Sequence, residues 1–311
     1  MDFTGLITNG YKKNRRIAEE ERGNRLFQKE RASDLPNYEL AVIKINSTYL
    51  EVVDRYFDSR GAVTLFSLIG IALPTWMIVW LTSVMLETYR EGLYDGVTAL
   101  GVSAFVFTIN FPLICFCAWA ASKELRRLTH YPIRLNRENR TLYVFRLDGT
   151  ILTVPWDSVF FTVGKCSSMY GKTWDIRALV LNEADGTVRD EFAFSLAGGE
   201  RAHLIDHWEF LRRYMEDGPA KLVRQIEFCM PIDGKYESFR SGIERIFAPY
   251  SGHPFFYWLM SPFNVALACV RWIVMRSCTV PVWPRDIEDA CRIHEGDPFV
   301  RDSRINPPNL R

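Results

Sequence analysis

The chain has 311 residues, 48% of them hydrophobic and 24% charged, with a net charge of +1. Near-neutral charge argues against a general electrostatic hold on nucleic acid. Seven cysteines, odd in number and with no CxxC pair, argue against both a disulfide framework and a structural zinc site.

Residues 1–60 read as a cytoplasmic N-terminal arm and juxtamembrane segment. The first 20 residues are charged, so no signal peptide is expected there. Tyr11 to Arg31 fits either a charged helix or a disordered arm. Leu40 to Leu50 reads as a short strand, whereas Asn46 to Ser59 would also fit a juxtamembrane helix.

Residues 61–122 carry the clearest signal. Gly61 to Leu86 and Val97 to Ser122 are uncharged runs of about 26 residues each, and roughly 20 suffice to cross the hydrocarbon core. The Leu, Ile, Val and Phe residues of the first run favour insertion by roughly 4 to 7 kcal/mol. With only Glu87 to Gly96 between them, the pair predicts a transmembrane hairpin. Asn110 is expected to bond across the hairpin or to support a kink at Pro112. Lys123, Arg126, Arg127, Arg134 and Arg137 follow the second run, and Lys12, Lys13, Arg15, Arg16, Arg55 and Arg60 precede the first. The intervening loop has one base, so both flanks are placed in the cytoplasm. Cys115 and Cys117 read as small helix- or lipid-facing residues, with palmitoylation as the sharper alternative.

Residues 123–219 change period. Pro132 to Asn136, Thr141 to Leu147, Thr150 to Val163, Ile176 to Asn182 and Thr187 to Leu196 alternate like strands. Asp148-Gly149 and Asp185-Gly186 supply hairpin turns. Gly199 to Asp217 predicts an amphipathic helix, ended by Gly218-Pro219. His203 and His207 have the spacing of two metal ligands on one helix face. No third ligand accompanies them, so ordinary histidines are expected and no metal or cofactor is assigned. No nucleophile, Walker or dinucleotide motif occurs, so no catalytic residue is assigned and the protein is expected not to be an enzyme.

After a connecting segment at 220–249, residues 250–277 form a third apolar stretch, interrupted by Pro254 and Pro262 and holding Arg271. Ser261-Pro262 predicts a helix start, leaving about 24 Å of helix to Ser277, short of the roughly 30 Å core. The segment is expected to be interfacial or re-entrant, with a third span as the alternative. The tail, 278–311, is expected to be mostly extended. Lys123, Arg126, Arg127, Arg271 and Arg276 are the candidate contacts to the membrane surface or a partner.

Two resemblances add to this. Pro132 to Asn136, Leu142 to Arg146, Val154 to Val159 and the helix bearing Trp208 resemble bacterial pleckstrin-homology-like domains, which are as a rule binding modules. Tyr49 to Tyr56, Trp208 to Pro219, Thr279 to Pro284 and Cys291 to Pro298 resemble an uncharacterised family of bacterial inner-membrane proteins encoded in type VI secretion clusters. That resemblance implies a protein of the inner (cytoplasmic) membrane, with N-terminus and β domain cytoplasmic, whose partners are the bilayer and a secreted effector. The implied role is immunity against a co-encoded effector. The alternatives are an effector-loading adaptor, a lipid-binding module or a membrane-active effector. The expected fold is membrane α+β: a hairpin anchor, a small antiparallel PH-like domain with a C-terminal amphipathic helix, and a third apolar segment.

Overall fold

The computed structural model describes residues 13–168, 171–198 and 200–311, so Lys12, Tyr11 and the Gly199 start of the predicted helix lie outside the described residues. The chain divides into two compact units. Unit 1 combines the stretch ending at Asp58 with Leu128–Ile246 and Thr279–Arg311; unit 2 combines Ser59–Arg127 with Phe247–Cys278.

Unit 1 is α+β with two antiparallel sheets. A short helix, α1 (Glu19–Gly23), leads into β1 (Arg25–Leu26). The five-stranded sheet has the order β2 (Val42–Ile45), β3 (Tyr49–Val52), β4 (Ile133–Asn136), β5 (Thr141–Phe145), β6 (Ile151–Pro155). The four-stranded sheet places β1 beside β7 (Phe160–Ser168), then β8 (Gly171–Leu181) and β9 (Val188–Gly198). A single 3-10 turn at Trp156–Ser158 splits the predicted run Thr150 to Val163 between the two sheets. Both Asp-Gly turns form, with Gly149 and Gly186 in the left-handed region that glycine tolerates best.

The β unit is larger than residues 123–219. β3 pairs with β4, with Leu50 opposite Leu135, although the whole hairpin region lies between them in sequence. Strands at 42–45 and 49–52, not a juxtamembrane helix, occupy this stretch, because β2 and β3 pair and bury Val42, Ile45, Leu50 and Val52 in a shared core. That core joins both sheets to α4 (Arg201–Asp217). Trp208 stacks on Trp156 at 5.6 Å, and Phe161 lies 4.7 Å from each ring. A smaller core covers the five-stranded sheet's other face. It packs Tyr49, Tyr143 and Phe145 against Trp283 and Ile287 of the tail, whose α7 spans Arg285–Ala290. Asn306 fixes the tail further on, exchanging hydrogen bonds with the Cys229 backbone at 2.9 and 2.6 Å. A nine-residue helix, α5 (Phe239–Phe247), ends this portion of the chain.

Unit 2 holds three helices: α2 (Ala62–Arg90), α3 (Gly96–Ser122) and α6 (Pro254–Ser277). All three are long and apolar enough to cross a membrane. α6 starts at Pro254, not at Pro262, and runs through the inner proline. Ser261 Oγ donates to the Tyr257 carbonyl at 2.8 Å within that stretch. The helix is therefore about 36 Å long at 1.5 Å per residue, and shortness no longer argues against a span.

Candidate functional site

The outward face of unit 2 is the largest unusual surface. Trp76 is 64% exposed, Val97 80% and Trp258 75%, with Leu73, Trp80, Leu100, Phe105, Ile109 and Phe255 exposed beside them along the same helices. In water such a continuous apolar surface would carry a heavy hydration cost; against lipid tails it carries none. The inward side is small or polar. A Cβ on Gly70 would come within 2.6 Å of Cys117 Sγ, so the two hairpin helices touch where glycine removes the side chain. Asn110 does not bond across the hairpin: its Nδ2 donates to the Val106 carbonyl of its own helix at 2.8 Å.

A buried polar cluster closes the base of these helices. The N-cap of α2 is Gly61, which has no side chain to cap with. Glu124, from just beyond α3, takes that role. Its carboxylate accepts from the Gly61 amide at 2.6 Å, the Thr64 amide at 2.8 Å and Thr64 Oγ at 2.6 Å. A carboxylate at a helix N-terminus also opposes the dipole favourably. Arg60 and Arg271 are each 1% exposed, and Arg271 Nη1 donates to the Arg60 carbonyl at 3.4 Å. Gly61 is required twice: its φ is +91°, and an added Cβ would lie 2.7 Å from the Arg271 Cα.

The sequence-predicted contacts separate accordingly. Arg126 and Arg127 are exposed, and Lys123 is half-buried with its ammonium 5.1 Å from the Trp119 ring centre. Arg276 is exposed over Trp272 at 5.6 Å. Cys278 Sγ donates to the Glu124 carbonyl at 3.4 Å, so the end of α6 adjoins the exit of α3 and these bases share one end of unit 2. Arg271 is interior and faces neither solvent nor lipid.

Unit 1 buries ionisable groups in matched sets. Arg134 pairs with Glu51 at 2.8 Å, its guanidinium between the rings of Tyr49 and Trp283 at 4.4 and 4.6 Å. Trp283 Nε1 donates to the same Glu51. Burial pushes the Glu51 carboxyl up, with Arg134 and Trp283 opposing. Asp175, fully buried, pairs with Arg55 and Arg177. Burial would raise Glu209, but hydrogen bonds from Arg212, the Ala32 amide and Arg213 outweigh it and hold the carboxyl at about 2. Sequence reasoning missed these sets: Arg134–Glu51 and Arg55–Asp175 lie far apart in the chain, whereas Glu209 with Arg212 and Arg213 has ordinary helical spacing whose burial no local pattern announces.

One pair imitates a nucleophile and its base. Ser195 Oγ lies 3.1 Å from His207 Nε2, and His207 Nδ1 lies 3.1 Å from the Asn37 carbonyl. Both side chains are buried, and burial drops the His207 pKa to about 4. An imidazole so reluctant to take a proton is a poor general base at neutral pH. His203 is exposed beside Glu200 and Glu39, away from His207's buried contacts, and no metal-holding group of three occurs among the described residues. Two cavities of about 570 Å3 open on unit 1. One is lined by Glu138, Asp289, Arg292, His294 and Glu295, the other by Arg31, Arg212, Arg213, Asp217 and Lys221. Neither reaches Ser195 or His207.

The stretch from mid-α3 through the second sheet and α6 to the tail is also where comparison with known families decides the assignment. The chain belongs to DUF6708, a family of unknown function, which it matches over residues 111–295. The DUF6708 match thus takes in Glu124, Arg134, the Ser195–His207 pair and Arg271. No curated protein and no solved structure matches the chain.

Proposed function

We propose a non-enzymatic, membrane-anchored binding protein, with unit 2 as the anchor and unit 1 as the module that grips a protein partner. The observation that carries this is how the two units distribute apolar surface. Unit 2 turns Trp76, Trp80, Val97 and Phe105 outward, whereas unit 1 keeps Trp156, Trp208, Phe161 and Phe194 inside. The first arrangement suits hydrocarbon and the second suits water. The buried charges of unit 1 are matched to one another, which favours a rigid recognition scaffold over a site that changes charge during turnover.

The run β4-β5-β6, β7-β8-β9 and then α4 supports a PH-like reading of the module: two successive antiparallel meanders followed by one C-terminal helix. The bases at the exit of α3, against the single base of the far loop, favour a cytoplasmic unit 1 on an inner membrane. The resemblance of Tyr49 to Tyr56 and Cys291 to Pro298 supports a place in a type VI secretion cluster, as an immunity protein that neutralises a co-encoded effector.

Deleting the gene should sensitise cells to sibling attack, and re-expression should restore resistance. If deletion instead only stops secretion of a neighbouring effector, the protein is an adaptor. If its expression alone kills a naive host, it is itself the toxin. The exposed Arg126, Arg127 and Arg276 favour anionic head groups as a second ligand of the same end of the anchor. Charge reversal at all three should lower co-sedimentation with anionic vesicles if that contact matters.

A further inference from the structure

We infer that α6 does not cross the bilayer but lies along the leaflet facing unit 1, with one apolar stripe immersed in it. The inference rests on the membrane anchoring of unit 2 proposed above. It follows from the parity of crossings. Unit 1 is a single packed body built from segments before α2, between α3 and α6, and after α6. Its tail segment is structural: Trp283 lies in a core with Tyr49 and Phe145, Arg301 bridges Ile45, and Asn306 holds Cys229. A body packed in this way occupies one side of a membrane. The hairpin of α2 and α3 leaves that side and returns to it. One crossing by α6 would strand residues 279–311 on the far side, away from the cores they complete.

A compensating crossing by the preceding linker is not available. Arg245 is held in unit 1 by Asp58 and by the Leu40 carbonyl at 3.3 Å. Residues 246–253 then reach about 20 Å, given their helical and 3-10 turns, against roughly 30 Å of hydrocarbon. Part of that linker is non-helical, and lipid tolerates no such backbone. At the other end the Thr279 carbonyl already accepts from the Thr129 amide at 2.9 Å. Both ends of a helix about 36 Å long are therefore tied to one side.

The side chains fit this placement. Asn264, Ala268, Arg271 and Met275 recur at intervals of four, three and four, and all are buried. They form the inward face, which meets the start of α2 at Gly61, with Phe263 5.9 Å from Phe66. Phe255, Trp258, Leu259, Val265, Trp272 and Ile273 fall outside that face, on its flank and its far side, and are exposed. An aromatic-rich stripe with Arg276 at its end suits the boundary between head groups and acyl chains, where the arginine stem can snorkel. The occupant of this stripe is the leaflet itself.

The test places epitopes after Gly252, after Gly92 and at Arg311 of the full chain. Antibody binding is then compared in spheroplasts and inverted vesicles. The Gly252 and Arg311 epitopes should bind on one face and the Gly92 epitope only on the other. Arg311 grouping with Gly92, opposite Gly252, means that α6 spans and carries the tail across, and Gly252 grouping with Gly92, opposite Arg311, means that the linker and α6 both cross; either result overturns the inference. All three epitopes on one face means that the hairpin itself does not span, so the anchor reading fails first. Nitroxide labels at 255, 258, 265 and 272, all exposed positions, give a second measure. Their immersion depths should be alike, whereas a span would spread them over about 25 Å at 1.5 Å per residue.

Discussion

Both units bury arginine, but they do so against opposite surroundings. In unit 1, Arg134 sits between two aromatic rings and pairs with Glu51, while polar side chains face out. In unit 2, Arg60 donates to the Glu124 backbone carbonyl and Arg271 to the Arg60 carbonyl, while tryptophans face out. The same chain thus follows two hydrophobicity rules, and the difference supports the proposed reading of unit 2 as the anchor. On that reading polar groups belong inside unit 2, because hydrocarbon would offer them nothing.

The contrast can be broken most forcefully at the aromatic core of unit 1. Trp208→Ala should lower unfolding stability by about 3 to 5 kcal/mol in denaturant titrations of the detergent-solubilised protein, since it empties a site closed on all sides. Arg134→Met should cost a similar amount, about 3 to 5 kcal/mol, by leaving Glu51 buried without its partner. Adding Glu51→Leu to it should recover most of that loss; if it does not, the pair is not the source of the effect. Acid should act through His207. The unfolded imidazole takes a proton near pH 6.5 and the folded one only near 4, so stability holds above 6.5 and falls as pH drops toward 4. The loss should reach about 3 kcal/mol by pH 4, and His207→Asn should flatten that part of the profile. At the base of unit 2, Glu124→Gln should cost about 2 kcal/mol, because an amide supplies a weaker cap to Gly61 and Thr64 than a carboxylate does. Smallest of all, Trp80→Ala should change stability by no more than about 0.5 kcal/mol, although it removes as large a ring as Trp208→Ala. An effect as large as the core substitution would mean that Trp80 faces protein and not lipid.

The long apolar helices were legible because uncharged length is a strong local signal, and α2 and α3 follow the predicted runs closely. The strand meander was legible through its Asp-Gly turns and alternation. What local pattern could not show is partnership across distance. β2 and β3 look like an ambiguous short segment until β4, beyond two membrane helices, gives them a neighbour. Nothing near Trp283 announces that its ring closes on Arg134. Pro262 misled because Ser-Pro is a good helix start, yet here it lies inside a longer helix. The candidate contacts split for the same reason. Arg126, Arg127 and Arg276 stay outside, whereas Arg271 is drawn in by the seven-residue spacing to Asn264 that puts both on the buried face.

The pairing of β3 with β4 also sets an order of events on the ribosome. β2 and β3 are synthesised first and, if unit 2 is the anchor proposed above, carry an open sheet edge while α2 and α3 enter the membrane. That edge is filled only when residues 133–136 emerge on the same side, which requires the hairpin to have gone out and come back. A chain in which one helix failed to insert would keep β3 exposed and unit 1 unfinished, open to proteolysis. On the proposed anchor reading, completion of the sheet would therefore depend on both helices having inserted.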